Sequence, residues 1–196
     1  MKTQTATQHR SASRRMSIAT VLVALASIAS PALAQIGINH YNQEKIEFTI
    51  DVSEDMNKFV EHRTAVGVEP VRGSQFVTEG NIFPAFTIQG KGEQFDPNMT
   101  GSRGTWFCKG VFLVKGSEFD KSPFAVLSDQ LYLLPNGGHT VATTGTEGNG
   151  LAIRAVTGGT GAFAGYIGEQ RQQFLGFNKT GGANLRVTIT LRKASK

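Results

Sequence analysis

Apolar and polar residues alternate along much of this chain, which is the pattern of β-strands with one buried and one solvated face. Near one end, Ile46, Phe48 and Ile50 alternate with polar residues, and near the other, 185–192 repeats the pattern. Further candidate strands lie between them: Gln75 to Val77, Ala85 to Gln89, Thr105 to Lys115, Ala125 to Leu134, His139 to Thr143, Leu151 to Val156 and Tyr166 to Leu175. Only Glu54 to Thr64 has a weak helical pattern.

Turn-forming residues separate these candidate strands, which favours an all-β sandwich or closed barrel. The turn signals are Pro84, residues 96–98, 135–138, 147–150 and 181–182. Because the first and last strands both alternate cleanly, we expect them to pair and remove the exposed edge of the sheet.

The first 34 residues have the order of a cleavable bacterial-type signal peptide. Basic residues precede an apolar run from Ile18 to Ile28, and a small-x-small cleavage site ends at Ala34. The run is shorter than the roughly 20 residues that a membrane span needs. Arg14 and Arg15 also resemble a twin-arginine signal, so both export routes stay open. We expect a single domain over 35–196, periplasmic or secreted, with no membrane span after cleavage.

Removing the signal changes the charge of the protein. The whole chain carries a net charge of +5, but residues 35–196 hold 16 basic and 15 acidic side chains. No basic patch with interleaved aromatic residues points to nucleic acid. Cys108 is the only cysteine, and no Cys/His spacing typical of zinc occurs, so the sequence predicts neither a disulfide nor a metal site.

The glycine-rich run Thr157–Gly161 is the most conspicuous local motif. A phosphate-binding loop would need a helix directly after the glycines. The following residues contain two more glycines, Gly165 and Gly168, and are not helical in pattern. We therefore expect a tight turn that uses positive φ angles.

The stretches 104–114, 138–141 and 152–168 resemble allene oxide cyclases and, more distantly, plant dirigent proteins. In both, a Gly-Gly-[Ser/Thr]-Gly turn follows a strand and a Phe comes two residues later, here Phe163. The resemblance implies an antiparallel eight-stranded closed barrel with an apolar cavity and no cofactor. It also implies a largely steric catalysis, in which the cavity folds a flexible substrate into one conformer away from water.

Alternation along the Thr105-to-Lys115 strand predicts which residues face the cavity. Trp106, Cys108, Phe112 and Val114 share the inner face, and Gly110 would leave space among them. The cyclase resemblance also implies an inward cysteine. Tyr132 could add a polar tip, so we predict ligand-binding roles for Trp106, Cys108, Phe112 and Tyr132. The alternative is that Trp106 and Phe112 fill a solid core.

The sequence names no catalytic acid or base. The cyclases carry a glutamate on their first strand, but Glu47 alternates onto the outer face and Glu44 cannot be aligned. Asp129, Glu169 and Arg171 are typical of solvated strand positions. We expect His139 to cap a turn or to lie at the surface.

Three functions stay open. The first is a cofactor-free cyclase or isomerase acting on a hydrophobic small molecule, the second is a non-catalytic carrier of an apolar ligand, and the third is a structural or interaction protein with a filled barrel. A buried carboxylate or tyrosine in a large cavity would favour the first.

The outer face of the same strand predicts a homo-oligomer. Phe107, Val111 and Leu113 share that face with Lys109 and Lys115. Exposed apolar patches are typical of partner surfaces, unless a loop or the chain terminus covers them. The family resemblance implies a trimer.

Overall fold

The computed structural model describes residues 45–64, 67, 69–135 and 138–194. The strands are β1 (Lys45–Glu54), β2 (Val60–His62), β3 (Gln75–Pro84), β4 (Gly104–Phe112), β5 (Val126–Leu133), β6 (Thr140–Glu147), β7 (Leu151–Gly159), β8 (Tyr166–Phe177) and β9 (Ala183–Lys193). Short 3₁₀ turns lie at Met56–Lys58, Gly116–Lys121 and Gly161–Phe163. The signal segment Met1 to Ala34 lies outside the described residues. Among the described residues, no helix has the length and apolarity to cross a membrane.

Eight of the strands close into an antiparallel barrel. From β3 to β9 each strand pairs with the next along the chain, β9 pairs with β1, and β1 returns to β3. The predicted pairing of the first and last strands is confirmed, with Ile46 opposite Leu191 and Val52 opposite Leu185. The short β2 is a ninth strand, paired with β3 beyond the point where β1 leaves it.

The alternation of β1 and β9 places their apolar residues inside the barrel. Ile50, Val52, Val187 and Ile189 are all buried. At the end where β1 begins, Phe48 packs on Phe163 with ring centroids 5.9 Å apart. Ile46, Tyr166 and Leu191 are buried at the same end, which makes it part of the apolar core.

Two predicted elements differ from the structure. Ala85 to Gln89 is not a strand, because β3 ends at Pro84 and the chain turns across the outside of β1. There the Ile88 N–H donates to Asp51 at 2.8 Å. The weak helix over Glu54 to Thr64 is also wrong, since a 3₁₀ turn and β2 occupy that segment.

The glycine-rich run forms the predicted turn. After β7 ends at Gly159, a single 3₁₀ turn follows in place of a long helix. Gly161 has a φ of +60°, which favours glycine. His139 caps this turn, as its Nδ1 accepts a hydrogen bond from the Ala162 N–H at 3.0 Å. The run is therefore not followed by the helix that a phosphate-binding loop requires.

Candidate functional site

A cavity of about 480 Å³ opens at the barrel end where β1, β4, β6 and β8 finish. Its wall is mainly aromatic and aliphatic, with Phe59, Phe76, Phe112, Phe119, Phe174, Phe177, Val126 and Leu185. Its polar lining consists of Glu54, Glu61, Arg63, Thr78, Trp106, Cys108, Glu147 and Gln172. Such apolar walls with a few polar groups are typical of small-molecule sites.

Three of the four predicted ligand-binding residues line this cavity. Trp106, Cys108 and Phe112 are buried on the inner face of β4, where alternation placed them. Tyr132 also points inward, but it lies deeper and outside the cavity lining. Its hydroxyl donates to Gln130 at 2.6 Å, and burial raises the pKa of that hydroxyl. Leu113, Val114 and Lys115 lie beyond the end of β4.

Gly110 does not leave the space that the sequence predicted. It faces inward, but a side chain there would begin 2.8 Å from the Phe76 ring and 2.7 Å from the Leu127 carbonyl oxygen. Phe76 comes from the neighbouring strand β3, and its aromatic ring occupies this position. The cavity consequently lies beside the ring of Phe76, not over Gly110.

Below the cavity, the carboxylate of Glu147 is the centre of a hydrogen-bond network. One oxygen accepts from Gln172 at 2.7 Å and from Gln130 at 3.1 Å. The other accepts from the Ser128 hydroxyl and from the Cys108 thiol, whose sulfur lies 3.7 Å away. Burial raises the pKa of the Cys108 thiol, so this group stays protonated and acts as a donor, not as a nucleophile.

The middle of the barrel is polar rather than apolar. Gln170 donates to Gln130 at 3.0 Å and to Gln172 at 2.9 Å. Arg154 is fully buried beside them and donates to the Ser128 carbonyl at 2.8 Å. This interior is more polar than the sequence indicated, and it forms a hydrogen-bonded floor under the cavity.

Glu54 has a different environment from Glu147. Its carboxylate lies at the end of β1 and accepts a backbone hydrogen bond from Ala183 at 2.8 Å. Within the described ranges, no Lys, Arg or His forms an ion pair with it. Burial raises the pKa of Glu54, and the charge of Glu147 adds to this effect, while the Ala183 N–H and the Thr78 hydroxyl oppose it. A carboxyl group with a raised pKa holds its proton to a higher pH than an exposed glutamate does, which suits a general acid or base.

The two glutamates therefore have separate roles. Glu147 accepts four side-chain hydrogen bonds and lies 3.8 Å from the Arg154 guanidinium, so its oxygens are already engaged by the protein. Glu54 is the carboxyl group that faces the cavity without a cation. Pairs of carboxyl groups in contrasting environments are typical of sites that perform acid–base chemistry.

Sequence reasoning missed Glu54, although a signal for it was present. The period-2 pattern that starts at Ile46 continues through Val52 and reaches Glu54 on the same inner face. Glu47 is exposed on the outer face, as predicted. Asp129, Glu169 and Arg171 are exposed as well, in agreement with the sequence-based expectation.

In the part of the chain that the structure describes, no group of three or more His, Cys, Asp or Glu side chains could hold a metal ion. No protein-family model matches the sequence. No curated protein matches it either.

Solved structures with the same barrel do exist. The pterocarpan synthase dirigent protein PsPTS1 is 14% identical with a TM-score of 0.59, over 79% of this chain and all of that one. The pterocarpan synthase dirigent protein GePTS1 is 12% identical with a TM-score of 0.57, over 85% of this chain and 98% of that one. The Diels Alderase AbmU from Streptomyces koyangensis is 16% identical with a TM-score of 0.47, over 84% and 72% of the two chains. The two dirigent proteins confirm the predicted dirigent-like barrel fold.

Proposed function

We propose that this protein binds a hydrophobic small molecule in the barrel cavity and steers its cyclisation or isomerisation without a cofactor. The observation that carries the proposal is the Glu54 carboxyl group, which lies in an aromatic cavity, has a raised pKa and pairs with no cation among the described residues. A buried carboxyl in a large cavity is the feature that favours catalysis over simple storage.

The cavity supplies two physical contributions to such a reaction. Its aromatic walls restrict a flexible substrate to few conformers and exclude water, which lowers the entropic part of the barrier. Glu54 supplies a proton acceptor or donor at one fixed position, and general acid–base catalysis is typically worth about 10²–10⁴ in rate. The two dirigent barrels of the same fold are named as pterocarpan synthases, which is consistent with a reaction controlled by cavity shape.

A carrier is the second candidate, because the aromatic wall would hold an apolar ligand even without catalysis. A filled structural barrel fits less well, since the barrel encloses about 480 Å³ of space. The carrier and the enzyme differ in one respect that an experiment can measure: only in the enzyme does the Glu54 carboxyl group affect conversion of the bound molecule.

The test begins with the molecules that copurify with the protein, extracted and identified by mass spectrometry. The identified compound, or its open-chain precursor, is then incubated with the parent protein and with Glu54→Gln. We expect the variant to keep its fold, because the amide oxygen can still accept from Ala183, and to convert the compound at least about 100-fold more slowly at a concentration that saturates it. Glu47→Gln, on the outer face of the same strand, is the matched control. The enzymatic function would be excluded if the compound is converted at the same rate, and to the same stereoisomers, with and without the protein.

We also propose that the protein is exported and that the mature chain begins at Gln35. The proposal is supported by the basic, apolar and small-x-small segments of residues 1–34. N-terminal sequencing of the extracytoplasmic protein should find Gln35 first, and retention of Met1 or Lys2 would contradict it. Replacement of Arg14 and Arg15 by Lys should stop export only if the twin-arginine route is used.

A further inference from the structure

Three buried polar atoms in the cavity lining have no hydrogen-bond partner of normal geometry. They are the Glu61 carboxylate oxygen Oε1, the Thr78 hydroxyl and the Trp106 indole nitrogen. The Thr78 hydroxyl lies close enough to Glu54 to lower its pKa, and the Trp106 N–H lies close enough to Tyr132 to do the same there. Buried polar groups are normally hydrogen-bonded, so the Glu61 and Thr78 oxygens, which can accept, point to a ligand that donates hydrogen bonds into this cavity.

The charged groups of the cavity lining are mostly acidic. They comprise three carboxylates, Glu54, Glu61 and Glu147, and one cation, Arg63. Arg63 is already engaged, since its Nε donates to Glu61 at 2.9 Å and its Nη1 donates to the Gly67 carbonyl. Arg63 therefore leaves one oxygen of Glu61 without a partner, and it forms no ion pair with Glu54.

Aromatic rings line the same cavity as these carboxylates. Phe59 and Phe76 stack with centroids 5.6 Å apart, and Phe112 packs on Phe76 at 5.3 Å. Aromatic faces attract cations through the quadrupole of the ring, and they do so more strongly where water is excluded. A cavity that combines carboxylates with aromatic walls therefore suits a protonated amine.

We propose that the molecule held in this cavity is a cationic amphiphile, with an apolar body against the aromatic wall and a protonated amine directed to Glu54. The inference rests on the proposed binding function and specifies its ligand class. An ammonium group carries only donors, so it suits the partnerless Glu61 oxygen and the Glu54 carboxyl group, which has no cation beside it among the described residues. An anionic head group would be less favourable, because it would lose its hydration and would also be repelled by the carboxylates.

The experiment compares three probes that share one alkyl chain: decylamine, decyl alcohol and decanoate. The residue 35–196 protein is titrated near neutral pH, below the aggregation concentration of each probe. Binding is measured by the emission of Trp106, the only tryptophan, and by calorimetry. We expect decylamine to bind at least about tenfold tighter than decyl alcohol, and decanoate to bind most weakly.

Glu54→Gln should reduce the preference for decylamine over decyl alcohol to about threefold or less, since it removes the carboxyl group that a bound ammonium would stabilise in its ionised form and keeps the side-chain volume. Glu47→Gln should keep the full preference. Glu61→Gln is a second variant, which should weaken decylamine binding in the same direction. Circular dichroism verifies the fold of each variant.

Decanoate or decyl alcohol binding as tightly as decylamine would overturn the cation preference and leave the proposed apolar site intact. If none of the three probes binds by either measurement, the proposed binding function fails together with the inference. Retention of the amine preference in Glu54→Gln and Glu61→Gln would also contradict the assignment, because the preference would then arise elsewhere.

Discussion

The guanidinium nitrogen Nη1 of Arg154 lies 3.8 Å from the carboxylate oxygen Oε1 of Glu147 inside the barrel. Arg154 is fully buried, and the Glu147 side chain is 14% exposed. A buried arginine stays charged, so it requires a counter-charge and acceptors for its N–H groups. Glu147 supplies the charge, and carbonyl oxygens of Gly145 and Ser128 accept at 3.2 and 2.8 Å.

Because of this pair, we expect the protein to lose much of its stability when the Glu147 carboxylate is removed. Glu147→Gln would leave the Arg154 charge buried and unpaired, which we expect to lower the free energy of unfolding by about 2–4 kcal/mol. Urea denaturation followed by circular dichroism measures this change. The exposed Glu169, 3.1 Å from Arg171, is the matched control, and Glu169→Gln should cost about 0.5 kcal/mol or less. Equal, small effects of both substitutions would show that Arg154 does not depend on Glu147.

Glu54 predicts a pH dependence of opposite sign to that of a typical salt-bridged carboxylate. Burial raises its pKa above the ordinary 4.5 in the folded state. The unfolded chain therefore releases this proton at lower pH than the folded chain, and stability is lost as pH rises from about 4.5 through the raised value. Glu54→Gln lacks this titration, so its free energy of unfolding should rise relative to that of the parent as the pH increases over this interval. Urea denaturation of both proteins at pH 4 and pH 7 measures the difference. A difference that does not change with pH would contradict the raised pKa.

The sequence predicts the barrel well because its evidence is local and repeated. Alternation in β1, β4 and β9 identifies the inner face, so Trp106, Cys108 and Phe112 could be placed correctly. Turn residues separate the strands, and the clean first and last strands predict closure. The family resemblance then specifies eight strands, which the structure confirms.

The sequence does not predict which residues face the interior where that interior is polar. In β7, Leu151 and Ile153 are exposed and Arg154 is buried, so hydrophobicity alone assigns the wrong face. In β8, Ile167 is exposed, while Gln170 and Gln172 point inward. These inner residues are stable only because partners from β5 and β6 complete their hydrogen bonds, and such partners are distant in sequence.

The close approach at Gly110 predicts that even a small side chain is destabilising. Gly→Ala within a strand normally gains some stability, but the new Cβ of Gly110→Ala would meet the Phe76 ring and the Leu127 carbonyl. We expect a loss of about 1–3 kcal/mol in the free energy of unfolding. The same substitution should cost less in a Phe76→Leu background, where the ring is absent. The comparison is between the double variant and Phe76→Leu alone. A neutral or stabilising Gly110→Ala would show that the ring moves aside freely.

The outer face of β3, β4 and β5 predicts self-association. Val77 is 53% exposed, Leu127 is 49% exposed, and Leu131 is 36% exposed. Cross-strand pairing brings Phe107 beside Leu131 and Val111 beside Leu127, so these side chains form one continuous apolar surface around the Lys109–Asp129 pair. Lys115 and Leu113, which the sequence placed on the same strand face, lie beyond β4 and do not contribute strand positions.

We expect this surface to join copies of the chain, because apolar patches of this kind are typical of partner surfaces. The family resemblance implies that the assembly is a trimer. Light scattering of the residue 35–196 protein at micromolar concentration measures the mass of the assembly. Leu131→Arg should shift the mass towards the monomer, since a charge buried in an apolar interface lacks a partner. Ile167→Arg is the matched control, as Ile167 is 41% exposed on β8 at the opposite side of the barrel. A parent protein that is monomeric, or an assembly that only Ile167→Arg disrupts, would contradict the assignment of this surface.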